Sequence, residues 1–224
     1  MKKGTRLYIN ITNRCNTRCP FCCMYSGEDK TTEMPFNTFK KIIDETEGEF
    51  ELQLEGGEPF LNQDIYLFIE YAISTTRCNK IIVLTNGIIL KENLKRLVDI
   101  HKWYNIPFEV KVSVNYWLLK VDKDHLKHIA ECVFATAYIP GFNITLNTRK
   151  RKDDEWIDQE IIKYNLQDIN NSFYLQSYGR MTGNKDYDGV VIVQNIENWK
   201  VYSVDGQCFG TDLVARSEHE KELD

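Results

Sequence analysis

The chain has 224 residues, enough for one globular domain with an appended segment. Hydrophobic residues make up 42% and charged residues 27%, which excludes a disordered chain and a small disulfide scaffold. The net charge is −5 and no apolar run approaches the roughly 18 to 20 residues of a membrane span, so we expect a cytoplasmic protein with neither a nucleic-acid nor a membrane partner.

Strands and helices alternate along most of the chain. Apolar spacing predicts strands at 7–11, 50–54, 81–84, 108–114, 142–146 and 172–176, and helices at 36–47, 65–75, 92–103, 124–134 and 155–163. This alternation is typical of βαβ units with a parallel sheet. An eight-fold barrel typically needs about 250 residues. The sequence therefore predicts an α/β fold, a partial (βα)6 TIM-like barrel with a short C-terminal extension.

The last part of the chain departs from this alternation. We predict two units, a partial barrel over residues 1–182 and a C-terminal extension or cap over residues 183–224. In the extension, 190–193 and 201–204 have the composition of short strands. The final eight residues, 217–224, are mostly charged, which predicts a frayed end.

Seven cysteines are present, and four crowd into nine positions, at 15, 19, 22 and 23. The odd count disfavours a disulfide framework. The spacing CxxxCxxC places Cys15, Cys19 and Cys22 in the loop after the first predicted strand, and three thiolates leave one coordination position of a metal group open. The alternative is a structural zinc site with Cys23 as fourth ligand, although adjacent Cys22 and Cys23 chelate a single ion poorly.

Two further motifs follow the next two strands. Gly56-Gly57-Glu58-Pro59 comes after the second predicted strand and Thr85-Asn86-Gly87 after the third. Ligands of parallel α/β folds bind at the carboxyl ends of the strands. We therefore expect these two loops to lie beside the cysteine loop.

This set of motifs resembles the radical S-adenosylmethionine (SAM) enzyme superfamily over residues 5–180, with Phe21 as the aromatic residue before the third cysteine. The resemblance implies that Cys15, Cys19 and Cys22 ligate a [4Fe-4S] cluster whose fourth iron binds the amino and carboxylate groups of SAM. It also implies reductive cleavage of SAM to a 5′-deoxyadenosyl radical that abstracts hydrogen from the substrate. An electron donor such as flavodoxin or ferredoxin is the expected protein partner.

The resemblance assigns SAM contacts to four motif residues. Gly56 and Gly57 would let the backbone approach the methionine part of SAM, because a Cβ there would intrude. Glu58 would accept a hydrogen bond from its amino group. Phe21 would offer its backbone and its ring to the adenine.

Further SAM contacts are expected after later strands. Ser113 and Asn115, at the end of the fourth strand, would contact the ribose and the carboxylate. Many relatives carry an arginine for the carboxylate in the following helix, and this chain has only lysines there. Arg180, or alternatively Arg149, would replace it, since each lies just beyond a predicted strand.

The remaining cysteines are scattered. Cys78 and Cys132 are predicted to be buried structural thiols. Cys208, in a glycine-flanked segment, is a candidate catalytic residue that would donate a hydrogen atom to a substrate radical, with ordinary packing as the alternative. One cysteine after residue 132 is too few for an auxiliary cluster, so we expect a single cluster.

The local sequences TNRCNTRCPFC and LEGGEPFL resemble peptide- and protein-modifying members of the superfamily. Post-translational modification of a ribosomally made peptide is therefore the first functional hypothesis, although no leader-binding domain precedes Leu7. Two alternatives are a small-molecule enzyme acting on a nucleotide or pterin-like substrate, and an activase of a glycyl radical enzyme. A degenerate barrel serving only as a binding module is disfavoured, because all three cluster ligands are present.

Overall fold

The computed structural model describes residues 5–182 and 198–223. Seven parallel strands form one sheet that curves into a half-barrel, in the order β6-β5-β4-β3-β2-β1-β7. The strands are β1 (Thr5–Asn10), β2 (Phe50–Glu55), β3 (Cys78–Thr85), β4 (Phe108–Asn115), β5 (Phe142–Lys150), β6 (Asn170–Tyr174) and β7 (Trp199–Tyr202). The helices are α1 (Phe36–Asp44), α2 (Ile65–Ser74), α3 (Leu90–Tyr104), α4 (Tyr116–Val121), α5 (His125–Thr136), α6 (Trp156–Lys163) and α7 (Leu213–Glu222).

The main core lies between the sheet and the helices on its convex side. Alternate strand residues, such as Leu52 and Val110, point into it and are fully buried. Aromatic rings of neighbouring helices stack there, with the ring centroids of Phe39 and Phe68 4.5 Å apart. The other residues of each strand face the concave side, where they are free to form a site.

The predicted partial TIM-like barrel is confirmed, with its alternation of six strands and five helices, and a seventh strand adds to it. Strand β7 pairs in parallel with β1, with Trp199 opposite Arg6. The described part of the C-terminal segment therefore extends the sheet, and the division of the chain into two units stays a prediction. Of the two strands predicted there, 201–204 overlaps β7 only at 201–202, and 190–193 lies outside the described residues.

The predicted frayed end at 217–224 is wrong for the described residues. Helix α7 begins after Asp212, whose carboxylate accepts hydrogen bonds from the backbone N–H groups of Val214 and Ala215. Ser217 and Glu220 are buried on its inner side. Among the described helices, none is both long and apolar enough to cross a bilayer.

Candidate functional site

The loop after β1, residues 11–27, is termed here the cysteine loop. Cys15 is buried and Cys19 and Cys22 are partly exposed. Burial raises the pKa of the Cys15 thiol to about 12, and Glu58 and Cys22 add to the effect. Burial, followed by the charges of Cys22 and Cys15, also raises the pKa of Cys19. The three thiols are therefore close enough to interact electrostatically, in a place that disfavours bare thiolates.

The donor set fits a multi-iron group better than a single ion. Within residues 5–182 and 198–223, no three His, Cys, Asp or Glu side chains gather closely enough to hold one metal ion. A [4Fe-4S] cluster takes one thiolate on each of three irons, so its ligands do not converge on one point. The positive charge of iron also compensates thiolates in a poorly solvated pocket. Cys15, Cys19 and Cys22 thus fit a cluster, and the zinc alternative with Cys23 gains no support.

The Gly56-Gly57 turn packs directly against the cysteine loop. A Cβ at Gly57 would lie 2.1 Å from the carbonyl oxygen of Arg14, and a Cβ at Gly56 would lie 2.4 Å from that of Thr12. The N–H of Gly57 donates to the Thr12 carbonyl at 2.7 Å, and the N–H of Glu58 to the Arg14 carbonyl at 2.9 Å. In this structure both glycines are explained by the close approach of two loops, a reason separate from the SAM contact predicted for them.

Glu58 is fully buried between the loop that follows β2 and the loop that follows β3. Its carboxylate accepts hydrogen bonds from the Thr85 hydroxyl at 2.8 and 2.9 Å, from the Asn86 N–H at 2.8 Å and from the Phe60 N–H at 3.2 Å. Burial raises the pKa of Glu58 to about 7, although these hydrogen bonds oppose the rise. The side chain predicted to contact SAM therefore also fastens the GGEP turn to the Thr85-Asn86-Gly87 turn.

Asn86 connects this network to the cysteine loop. Its side-chain amide donates to the Asn16 Oδ1 at 2.6 Å and lies 3.7 Å from the Cys15 Sγ, within the range of an N–H···S hydrogen bond. Its Oδ1 accepts from the Ile88 N–H at 3.0 Å, which fixes the orientation of the amide. The Thr85-Asn86-Gly87 motif thus contacts Cys15, which is one of the three predicted cluster ligands.

The end of β4 supplies a second support. Asn115 is buried, and its Oδ1 accepts hydrogen bonds from the N–H groups of Trp117 and Leu118 at 3.1 and 2.9 Å, capping α4. The Trp117 indole donates to the Thr17 hydroxyl of the cysteine loop at 3.0 Å. Asn115 therefore has a capping function as well as its predicted role toward SAM, and α4, which sequence reasoning missed, reaches the site through Trp117.

Phe21 and Ser113 lie at the same end of the sheet. The ring of Phe21 packs against Tyr116, with centroids 5.5 Å apart, and against the small buried cluster of Leu175 and Met181. Ser113 is half-buried on the concave face, and its carbonyl oxygen lies 3.0 Å from the His125 Nε2. Both residues therefore lie at the end of the sheet for which the adenine and ribose contacts are predicted.

Arg180 binds the cysteine loop itself. Its guanidinium donates to the carbonyl oxygens of Cys19 at 3.0 Å, Tyr25 at 2.7 Å and Ser26 at 2.8 Å. The residue before it, Gly179, approaches so closely that a Cβ would lie 2.5 Å from the Cα of Cys23. These donors hold the cysteine loop, and the contact of Arg180 with the SAM carboxylate stays a prediction. Arg149, whose guanidinium lies 4.7 Å from the centre of the Phe173 ring, stays the alternative.

Helix α7 contributes a buried ion pair beneath the GGEP turn. Arg216 donates from its guanidinium to the Glu55 Oε1 at 2.5 Å, and both side chains are at most 8% exposed. Glu55 is the last residue of β2, directly before Gly56, and its Oε2 accepts a hydrogen bond from Gln53 at 2.8 Å. An ion pair so deeply buried makes the start of the GGEP turn depend on α7.

The same helix also holds the cysteine loop. The Glu220 carboxylate accepts hydrogen bonds from Asn10 at 2.7 Å and Asn13 at 3.0 Å, at the junction of β1 and the loop. The Ser217 hydroxyl donates to the Cys23 carbonyl at 2.6 Å. Sequence reasoning missed these contacts, and the only signal was a charged helix with an Asp212 cap, a pattern also typical of an exposed helix.

Cys208 lies away from this cluster of contacts. It is exposed, it bridges to Tyr202 just after β7, and Tyr202 belongs to the core on the convex side. Burial raises the pKa of the Tyr202 hydroxyl, with a smaller effect from Cys208. This position does not fit the prediction that Cys208 donates hydrogen to a substrate on the concave face. Cys78 and Cys132 are buried, as expected.

Comparison with known proteins agrees with this site. Residues 9–110 match the family model described as the Radical SAM superfamily. The chain is 28% identical to a GTP 3′,8-cyclase of Campylobacter lari over 87% of its own length and 64% of that protein. It is 34% identical to a GTP 3′,8-cyclase of Aquifex aeolicus over 42% of its own length and 31% of that protein. The chain thus spans less than two thirds of the length of these relatives.

Two solved structures share the fold. A histidine-tagged form of anSMEcpe with bound AdoMet has a TM-score of 0.61 at 14% identity, covering 82% of this chain and 53% of that one. Streptococcus suis SuiB bound to the precursor peptide SuiA has a TM-score of 0.60 at 13% identity, covering 81% and 42%. The family match, the half-barrel and the cysteine loop lead to one conclusion, that residues 9–110 carry the features of the radical SAM superfamily.

Proposed function

We propose that the chain is an enzyme that cleaves SAM reductively with a single [4Fe-4S] cluster held by Cys15, Cys19 and Cys22. A [4Fe-4S] cluster and SAM are the cofactors of the superfamily whose model matches residues 9–110. The observation that carries the proposal is the convergence of three motifs: the cysteine loop, the GGEP turn and Asn86 contact one another at the carboxyl ends of β1, β2 and β3. Ligand sites of parallel α/β folds lie at this end.

The cluster that Cys15, Cys19 and Cys22 would hold would supply one electron for the reductive cleavage of SAM, and with it the radical chemistry that removes hydrogen from a substrate. The protein's own part is positioning. Asn86 and Glu58 fix the side of the loop that carries Cys15, and Arg180 fixes the side that carries Cys19. Rigid support of this kind holds ligands in the geometry that the reaction needs.

The test is anaerobic reconstitution of the full chain with iron and sulfide. We expect about four irons per chain and 5′-deoxyadenosine that appears only with a reductant. Cys19→Ala should lose both. The matched control Cys132→Ala removes a thiol on α5 that is not part of the CxxxCxxC motif, so this variant should keep the iron. Cleavage of SAM that persists in Cys19→Ala would contradict the proposal.

For the substrate, we infer a small polar molecule. A relative that aligns with 87% of this chain is named for a reaction of GTP, a small molecule. The first hypothesis, peptide modification, is supported only by local motif similarity and by solved structures of 13–14% identity, which share the fold alone. A second observation in favour of a small polar substrate is the polar concave face of the half-barrel, where Arg6, Glu51 and Lys111 replace the apolar residues expected of a sheet buried on both sides.

The substrate class is testable with a cell extract from a deuterium-grown culture, divided by ultrafiltration below and above the mass of a short peptide. Deuterium should enter 5′-deoxyadenosine with the small-molecule fraction. Transfer only from the retained fraction would favour a peptide or a glycyl radical enzyme instead. Flavodoxin or ferredoxin is the proposed electron donor, to be tested by replacing the chemical reductant with either protein.

A further inference from the structure

The concave face of the half-barrel is a polar surface made by alternate residues of five strands. In β4, Phe108, Val110 and Val112 are buried in the core, while Glu109 and Lys111 are half-buried on the opposite face. The concave positions of the neighbouring strands are mostly polar as well, with Ile82 and Leu84 of β3 as apolar exceptions: Arg6, Tyr8, Glu51, Gln53, Lys80, Thr145 and Asn147. A parallel sheet packed on both faces normally has near-continuous apolar strands. This alternation therefore indicates a face that contacts water or a polar ligand.

The carboxylates of this face already have cations of their own. Glu51 pairs with Arg6 at 2.5 Å, and Glu109 pairs with Lys80 at 2.6 Å. Glu55, at the end of β2, pairs with Arg216 at 2.5 Å. Lys111 therefore adds one positive charge that these three ion pairs do not balance, and in the described part of the chain it forms no ion pair.

Lys111 is held in a half-buried position that is costly for a charge. Its Nζ reaches across β3 to the neutral Gln53 Oε1 on β2, at 3.2 Å. Burial lowers the pKa of Lys111, and Glu109 only partly opposes this. Burial removes water from a charged group, and a neutral partner compensates for this loss only in part. A ligand anion would compensate for it more fully. Since the whole chain carries a net charge of −5, this local excess of positive charge is not a general property of the protein.

We propose that the concave face binds an anionic group of the substrate, a phosphate or a carboxylate, at the Nζ of Lys111. This inference rests on the proposed function and names the substrate class of the same site. Lys111 lies four residues before Asn115, which ends β4, so it is about 13 Å below that edge of the sheet at roughly 3.3 Å per residue. A ligand at Lys111 therefore reaches into the half-barrel from the edge that carries the cysteine loop.

The test is calorimetric titration of the reconstituted holoenzyme with two probes, inorganic tripolyphosphate and citrate, in the presence and absence of saturating SAM. At least one probe should bind the wild type, and Lys111→Gln should weaken that binding at least tenfold. Lys111→Arg should restore most of it, which separates charge from misfolding. The matched control is Lys95→Gln on α3, since Lys95 is 87% exposed and should not affect the titration.

Three results would overturn the inference: neither probe binds the wild type at millimolar concentration, Lys111→Gln binds as the wild type does, or SAM displaces the probe. The last result would assign the anion site to the SAM carboxylate instead of the substrate. SAM cleavage by the same wild-type preparation is measured separately. Cleavage without a Lys111-dependent titration refutes only the anion site, and the reverse refutes only the proposed function.

Discussion

Replacing Glu58 with glutamine should remove a pH dependence of folding stability that the buried carboxyl creates. Burial raises its pKa from an ordinary 4.5 to about 7. The folded chain therefore holds this proton more tightly than the unfolded chain. The stabilisation is complete below the unfolded pKa and is lost as the pH rises through the folded pKa. At about 1.4 kcal/mol per pKa unit, Glu58 should cost the fold about 3 kcal/mol across this window.

The assay is urea denaturation of the wild type and Glu58→Gln at pH 5 and pH 8, under identical anaerobic conditions. Glutamine imitates the neutral carboxyl and still accepts the Asn86 hydrogen bond, so the variant should lack this part of the loss. The free energy of unfolding of the wild type should fall between the two pH values by about 2 to 3 kcal/mol more than that of the variant. Parallel curves would show that Glu58 is ionised in both states and would refute the reasoning.

Three further substitutions address the supports of the site. Asn86→Leu removes the N–H donor near the Cys15 Sγ, so the midpoint potential of the cluster should become more negative by tens of millivolts in a redox titration; an unchanged potential would contradict the contact. Arg180→Ala removes three hydrogen bonds to the cysteine loop and should lower iron per chain while the circular dichroism spectrum is kept. Arg216→Met leaves the Glu55 carboxylate buried without its partner and should destabilise the chain by about 3 to 5 kcal/mol in denaturation, whereas a loss below 1 kcal/mol would argue against a buried pair.

The parts of the fold that sequence predicted are those with local signals. Apolar periodicity indicated β1 to β6, and adjacent parallel strands were enough to bring the cysteine loop and the GGEP turn together. Strand β7 could not be placed in this way. Its pairing with β1 joins residues almost 200 positions apart, and no local pattern specifies which edge of a sheet a late strand joins.

The supports of the site were missed for a different reason. Arg216 and Glu220 are charged residues of a charged helix, and such residues are usually exposed. They are buried here because each meets a polar partner, Glu55 or Asn10, that was itself assigned to an ordinary strand end. The complementarity of two polar positions is visible only when both elements are placed.

The contacts of α7 determine when the cysteine loop can be completed during synthesis. Glu220 bonds Asn10 across 210 residues, and Ser217 bonds Cys23 across 194. The ribosome adds roughly 5 to 20 residues per second, so the loop waits on the order of 10 seconds or more for these partners. Iron delivered to the nascent chain would meet thiols on an unsupported loop. Cluster insertion should therefore follow the emergence of α7 from the ribosome, which makes it depend on a helix that is made long after the cysteines.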